Sequence, residues 1–166
     1  VVDIKNKIST NQDSEKLYFD KGNIKFEKIN FNYQSNKENK VLKNIDLEIE
    51  GGKMTALVGH SGSGKSTLMS LIPRIYIPLS GKITIDKQDI SKVNLYSLRS
   101  NISIVDQNTT LFDDTVLNNI KYARPEASNE EIYEAADLAM CTDFIENLKE
   151  KYKTQIGENG VKLSGG

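Results

Sequence analysis

Apolar and polar residues alternate through much of the first fifty positions, a pattern that predicts β-strands. The alternating apolar positions are Ile24, Phe26, Ile29, Phe31, Tyr33, Ile45, Leu47 and Ile49. The phase shifts by one position between Phe26 and Ile29, which predicts a bulge near Glu27 and Lys28. A polar turn over residues 34–40 separates the two alternating stretches, and we expect them to pair as an antiparallel layer.

A different pattern surrounds residues 59–67. Residues 54–58, Met-Thr-Ala-Leu-Val, form a short and nearly unbroken apolar run, which is typical of a parallel strand buried on both faces. After the segment, Leu68, Leu71 and Ile72 fall on one face of a helix. The pattern therefore predicts a glycine-rich loop between a buried strand and the start of a helix.

The rest of the chain changes from strands to helices near residue 107. A strand follows Ser80-Gly81, a short helix surrounds Leu95 and Leu98, and residues 102–105 are predicted to form another strand. Three later helices are predicted from their first residues and apolar positions. The first helix is capped by Thr115 and carries the apolar residues Val116 and Ile120. The second begins with a capping box of Ser128 and Glu131, and its apolar face consists of Ile132, Ala135, Ala136, Ala139 and Met140. The third begins at Thr142 or Asp143, and its apolar residues are Phe144, Ile145 and Leu148.

The glycine-rich loop fits the phosphate-binding pattern of Gly, four residues, Gly, Lys and then Ser or Thr. Its residues, all candidate nucleotide ligands, are Gly59, His60, Ser61, Gly62, Ser63, Gly64, Lys65, Ser66 and Thr67. Glycines allow the backbone N–H groups to turn toward phosphates, and the helix dipole adds positive potential there. We expect Lys65 to reach the β- and γ-phosphates and Ser66 to hold magnesium.

Composition narrows the function classes. The 166 residues suit one domain with a subdomain, and 22 Lys and Arg against 23 Asp and Glu give a net charge of −1, which argues against a nucleic acid partner. The single cysteine, Cys141, excludes an internal disulfide and is interpreted as a core residue. The single histidine, His60, is interpreted as a variable loop residue. No apolar run approaches the roughly 20 residues needed to span a bilayer, so we expect a soluble, cytosolic chain.

Taken together, residues 22–166 resemble the nucleotide-binding domain of ABC transporters, of the exporter type that follows a membrane domain on the same polypeptide. The resemblance implies an α/β fold, a P-loop NTPase core with an antiparallel β subdomain and a helical subdomain, with the C-terminal part of the core absent. It also implies a linker from the membrane domain over residues 1–20 and an incomplete nucleotide-binding domain over residues 21–166. Within that domain, residues 21–106 are the β-rich core and residues 107–166 the helical part.

The resemblance also assigns site residues. Tyr33, in Phe-Asn-Tyr, matches the aromatic residue that stacks on adenine, and Val41 is a further nucleotide contact. Gln107 matches the glutamine that binds magnesium and the attacking water, so Gln107 and Lys65 are the catalytic candidates. Residues 154–160 are similar to the exporter loop that touches the membrane domain, although Asn159 stands where Arg is frequent.

The final four residues look like the beginning of the family signature, which contacts ATP bound to the opposite subunit. They are Leu163, Ser164, Gly165 and Gly166. The resemblance thus implies ATP and magnesium as ligands, and two partners: a transmembrane domain of the same polypeptide and a second nucleotide-binding domain. The catalytic carboxylate and switch histidine follow the signature in the family. We therefore expect a fragment, acting at the cytoplasmic face of a membrane, that binds ATP without hydrolysing it.

Two other function classes fit a phosphate loop. A small P-loop kinase or GTPase is one, but the sequence has no Asn-Lys-x-Asp guanine-reading motif. A soluble ABC ATPase of DNA repair or translation is the other; the exporter-like loop and the absence of excess basic charge favour the transporter. The transported substrate cannot be predicted, because a membrane domain selects it.

Overall fold

The computed structural model describes residues 14–33, 41–106 and 110–157. The chain divides into two compact units, Val1–Ile104 and Val105–Gly166. This division lies two residues before the predicted boundary between the β-rich core and the helical part. The predicted polar turn at residues 34–40 lies outside the described residues.

The first unit is built on a four-stranded antiparallel sheet in the order β2-β1-β3-β4. The strands are β1 Ile24–Phe31, β2 Leu42–Ile49, β3 Ser80–Ile85 and β4 Gln88–Asp89. Phe26 of β1 pairs with Leu47 on one side and Ile83 on the other. The predicted antiparallel pairing of the first two strands is therefore confirmed.

The predicted irregularity in β1 is also confirmed. The pairing register shifts between Phe26 and Ile29, and Lys28 has a positive φ of 49°. The Lys28 N–H donates to the Asp46 side chain at 2.9 Å, so the carboxylate replaces a sheet partner at the bulge. The extra residue explains why the apolar face changes phase along β1.

Two short helices cover this sheet, α1 Lys65–Leu71 and α2 Leu95–Arg99. The predicted face of the first helix is correct, because Leu68, Leu71 and Ile72 are all buried. In α2 the Asn94 side chain accepts the Ser97 N–H at 3.0 Å, which caps the helix. The core of the first unit thus lies between one face of the sheet and these helices.

Two predicted strands are wrong. Neither residues 54–58 nor residues 102–105 pair with a strand in the described part of the chain. Met54 and Val58 are exposed, at 101% and 89%, as is Ile104 at 57%. A parallel strand obtains its hydrogen bonds and much of its burial from neighbouring strands, and neither segment has such a neighbour among the described residues.

The chain before residue 21 packs on the first unit as far back as it is described. Leu17 is buried in the core cluster, and its N–H donates to Ser97 Oγ at 3.0 Å. Asn94 N–H donates to the Glu15 carbonyl at 2.8 Å. Residues 1–20 are predicted to form a linker, but the Leu17 side chain and hydrogen bonds of the backbone hold residues 15–17 against the rest of the first unit.

The second unit contains α3 Val116–Lys121, α4 Asn129–Leu138, α5 Thr142–Glu146 and a 3-10 turn at Lys151–Lys153. Thr115 caps α3 and the Ser128–Glu131 capping box starts α4, both as predicted. Its core consists of Val116, Ala136, Ile145 and Ile156. In the described part of the chain, no helix is long and apolar enough to cross a membrane.

The apolar face of α4 is narrower than predicted. Ile132 and Ala136 are buried, whereas Ala135, Ala139 and Met140 are exposed. Met140 has a positive φ of 56°, which ends the helix and turns the chain toward α5. Cys141 is half-buried and packs against the core of the second unit.

Candidate functional site

The phosphate loop leads directly into α1, and its glycines allow the turn. Gly62 and Gly64 have φ values of 78° and 91°, in the left-handed region that favours glycine. A Cβ on Gly64 would lie 2.7 Å from Leu42 Cδ2, so the loop also passes very close to β2. Local backbone requirements and tight packing therefore both fix the sequence at Gly64.

The Lys65 side chain folds back across the loop. Its ammonium group donates to the Gly59 carbonyl at 2.7 Å, to the His60 carbonyl at 2.9 Å and to Ser63 Oγ at 3.3 Å. The Ser63 N–H donates to the His60 carbonyl at 3.2 Å, which closes the turn. A positive charge therefore lies at the loop, where a phosphate oxygen would compete with carbonyl groups for a charge-assisted hydrogen bond.

Ser66 lies in the first turn of α1, where backbone N–H groups have no acceptor within the helix. Its side chain is exposed. Among residues 14–33, 41–106 and 110–157, no group of three or more His, Cys, Asp or Glu could hold a metal ion. A hydroxyl fits magnesium, which usually takes few protein oxygens and completes its shell with phosphate oxygens and water.

Tyr33 is held beside the phosphate loop. Its hydroxyl lies 2.7 Å from Thr67 Oγ1, and its ring is half-buried. Val41 comes close to the same loop, because its Cγ1 would be 3.5 Å from a Cβ on Gly64. The structure thus brings the predicted base-stacking residue, Val41 and the phosphate loop together within the first unit.

The other predicted site residues lie outside the described residues. These are Gln107, Asn159, Leu163, Ser164, Gly165 and Gly166. In the predicted membrane-domain loop, residues 154–157 are described, and Gln155 forms an isolated bridge with Thr115.

Two features of the site are absent from the sequence-based prediction. One is the hydrogen bond between Tyr33 and Thr67; the other is Tyr76, whose ring centroid lies 5.3 Å from that of Tyr33. The first depends on how α1 packs beside the end of β1, and the second on how the segment after α1 does. The spacing of these residues in the sequence carries no signal for either contact.

A cavity of about 810 Å³ lies in the second unit. Four carboxylate residues line it, Glu134, Asp137, Glu146 and Glu150, together with Lys151 and Lys153. Carboxylates in excess of lysines disfavour a triphosphate at this cavity. The candidate nucleotide site is therefore the phosphate loop.

Comparison with known proteins identifies the family of the chain. A family model described as ABC transporter matches residues 42–166. The chain is 51% identical over 148 residues to an ATP-dependent lipid A-core flippase from Shewanella sp. (strain MR-4), covering 88% of this chain and 24% of that protein. It is 50% identical over 145 residues to the heavy metal tolerance protein of Schizosaccharomyces pombe, covering 87% of this chain and 17% of that protein.

The fold also matches a solved structure, that of a bacterial Atm1-family ABC exporter with ATP bound. The TM-score is 0.90 at 38% identity, covering 98% of this chain and 28% of that one. The predicted fold class, a P-loop NTPase with an antiparallel subdomain and a helical part, is confirmed. The chain spans about a quarter of the length of the flippases it matches, at 24 to 25%.

Proposed function

The chain belongs to the ABC transporter family, and from this membership we propose that it is the ATP-binding domain of an exporter that couples ATP binding and hydrolysis to transport. The observation that carries the proposal is the phosphate loop with the Lys65 ammonium at its centre and Tyr33 tied to Thr67 beside it.

Each of these groups has a task in binding. Lys65 exchanges its loop carbonyls for the β- and γ-phosphates, and the first-turn N–H groups of α1 bind phosphate oxygens. Tyr33 supplies a flat surface for the base, and Val41, close to Gly64, is a further contact of the nucleotide. Magnesium neutralises phosphate charge when bound, and Ser66 and Gln107 are the residues that would hold it.

The proposal extends to catalysis and partners. Gln107 orients the attacking water, and residues 163–166 contact ATP on the opposite subunit, so two nucleotide-binding domains are needed. Closing and opening of the two nucleotide-binding domains around ATP moves a transmembrane domain of the same polypeptide. The nucleotide-binding domain lies at the cytoplasmic face of the membrane. By itself, the 166-residue chain binds ATP without turning it over.

Lys65→Ala tests the nucleotide site. Loss of a charge-assisted hydrogen bond costs about 1.5 to 3 kcal/mol, so affinity for ATP with magnesium should fall at least about tenfold. Isothermal titration calorimetry measures this affinity. Lys92→Ala removes an exposed lysine elsewhere in the first unit and should leave the affinity unchanged.

An unchanged affinity in Lys65→Ala would show that the phosphate loop is not the site.

GTP should bind about as well as ATP, because stacking does not read the edge of the base. A strong preference for GTP would instead favour a GTPase.

A further inference from the structure

One hydrogen bond joins the predicted base site to the phosphate site. The Tyr33 hydroxyl lies 2.7 Å from Thr67 Oγ1, and Thr67 is 5% exposed. Thr67 immediately follows Ser66 in the first turn of α1, whereas Tyr33 follows β1. The bond therefore connects the two segments that we propose bind different parts of a nucleotide.

Two aromatic rings hold Tyr33 from other directions. The Phe31 ring lies 5.1 Å from it at an interplanar angle of 87°, and the Tyr76 ring lies 5.3 Å away at 88°. Edge-to-face contacts of this kind are favourable and depend on ring orientation. With the hydroxyl fixed as well, the plane of the Tyr33 ring is set before any ligand binds.

We propose that the Thr67 hydroxyl and the Tyr76 ring are positioning groups that fix Tyr33 as the base platform, and so couple base binding to the phosphate-loop helix. The inference rests on the proposed function, since it assumes that Tyr33 stacks on the base. It makes the Tyr33 hydroxyl important, although stacking alone would allow phenylalanine at this position. A platform that must be ordered during binding lowers the affinity by the cost of ordering it.

The main test compares two ligands, ATP and inorganic tripolyphosphate, each with magnesium, by calorimetry on the full chain. Tyr33→Phe keeps the ring and removes the hydroxyl, so ATP affinity should fall about three- to tenfold, the range for one net hydrogen bond. Tripolyphosphate has no base, so its affinity should stay within about twofold, the usual limit for independent sites.

A double-mutant cycle tests the partner. Thr67→Val removes Oγ1 and should weaken ATP binding when Tyr33 is present. The loss should be smaller in the Tyr33→Phe background, where only the contacts of Thr67 with the nucleotide remain to be lost. Thr67→Ser keeps a hydroxyl and should retain most of the affinity. This rescue separates the hydrogen bond from the packing of the threonine methyl group.

Tyr76 is tested in the same way. Tyr76→Leu removes the aromatic edge and should weaken ATP, whereas Tyr76→Phe keeps the ring and should match the unmodified chain. Tyr96→Phe is the matched control: it removes a tyrosine hydroxyl from an exposed position on α2 and should change neither ligand. Melting temperatures without ligand identify any variant that is unfolded.

The outcomes separate the two proposals. If the unmodified chain does not bind ATP, or if Tyr33→Ala binds it as well as the unmodified chain, the proposed site itself is wrong. If ATP binding needs Lys65 and the Tyr33 ring, but Tyr33→Phe has full affinity, the positioning role is overturned. Equal losses for ATP and tripolyphosphate in Tyr33→Phe, or additive effects in the cycle, would also overturn it.

Discussion

Gly64 meets two constraints that no other amino acid satisfies together. Its φ of 91° lies in the region that glycine alone enters freely, and a Cβ would approach Leu42 Cδ2 to 2.7 Å. Gly64→Ala should therefore distort both the loop and its contact with β2. Since Gly64 precedes Lys65 directly, we expect ATP affinity to fall at least about tenfold, the effect of losing one charge-assisted contact.

The control for this prediction is Gly52→Ala. Gly52 also has a positive φ, 72°, but a Cβ there meets nothing within 4 Å. Its substitution should lower stability by about 1 to 2 kcal/mol from backbone strain and leave ATP affinity intact. Calorimetry and urea unfolding measure both quantities, and equal ATP affinities in the two variants would contradict the packing argument.

Sequence predicts best those features of the site that adjacent residues determine. Gly62, Gly64 and Lys65 belong to one motif, and its loop geometry follows from adjacent residues. The Thr67–Tyr33 hydrogen bond and the Tyr76 contact join distant segments. Neither could be predicted, because sequence patterns do not determine how α1 and the segment after it pack beside Tyr33.

Among the elements, the β3–β4 turn has a structural task beyond reversing the chain. The Asp86 carboxylate accepts N–H groups of Asp20, Gly22 and Asn23 at 2.9 to 3.0 Å. Burial opposes ionisation of this carboxyl, but the backbone hydrogen bonds outweigh it and hold the pKa of Asp86 below its ordinary value. The charged form therefore fastens the residues before β1 to the turn.

The lowered pKa of Asp86 determines the direction in which stability changes with pH. The folded-state pKa of Asp86 is lowered, so its contribution to stability is present above the unfolded pKa of about 4 and is lost as pH falls through the folded value. Asp86→Asn should cost about 1 to 2 kcal/mol near neutral pH, since hydrogen bonds to a charged group weaken. The variant should also lose less stability than the unmodified chain on acidification.

Urea unfolding at neutral and acidic pH measures this difference. Asparagine tolerates the positive φ of 45° at position 86, so backbone strain does not confound the result. Asp20→Asn is the control, because it removes a carboxylate from the same segment and keeps the N–H that Asp86 accepts. Parallel pH profiles for Asp86→Asn and the unmodified chain would refute the role of the carboxylate.

Elements with local signals were predicted well, and those that depend on neighbours were not. Alternation identified β1 and β2, and the Ser128–Glu131 capping box identified the start of α4. Residues 54–58 have the composition of a buried strand, but nothing in the described residues pairs with them. Apolar composition predicts that a segment can be buried, whereas burial itself requires a partner.

At the scale of the whole molecule, each unit has its own core and also exposed apolar side chains. Met54 and Val58 are exposed in the first unit, and Val105, at 91%, is exposed in the second. Exposed apolar segments without strand partners favour association and lower stability. We therefore expect the chain to be marginally stable by itself. ATP with magnesium should stabilise it by about 2.7 kcal/mol at a hundredfold excess over the dissociation constant.

Binding without turnover is the last prediction for the 166-residue chain. We expect Lys65, Ser66 and Tyr33 to suffice for binding a nucleotide, whereas hydrolysis needs a carboxylate to polarise water and a completed signature from a second subunit. Gln107 can orient a water molecule but cannot accept its proton. Phosphate release over hours at saturating ATP should therefore equal that of Lys65→Ala, while calorimetry shows that the unmodified chain binds ATP and that Lys65→Ala binds it more weakly. Steady release that Lys65→Ala abolishes would mean that a carboxylate within these residues performs the catalytic role.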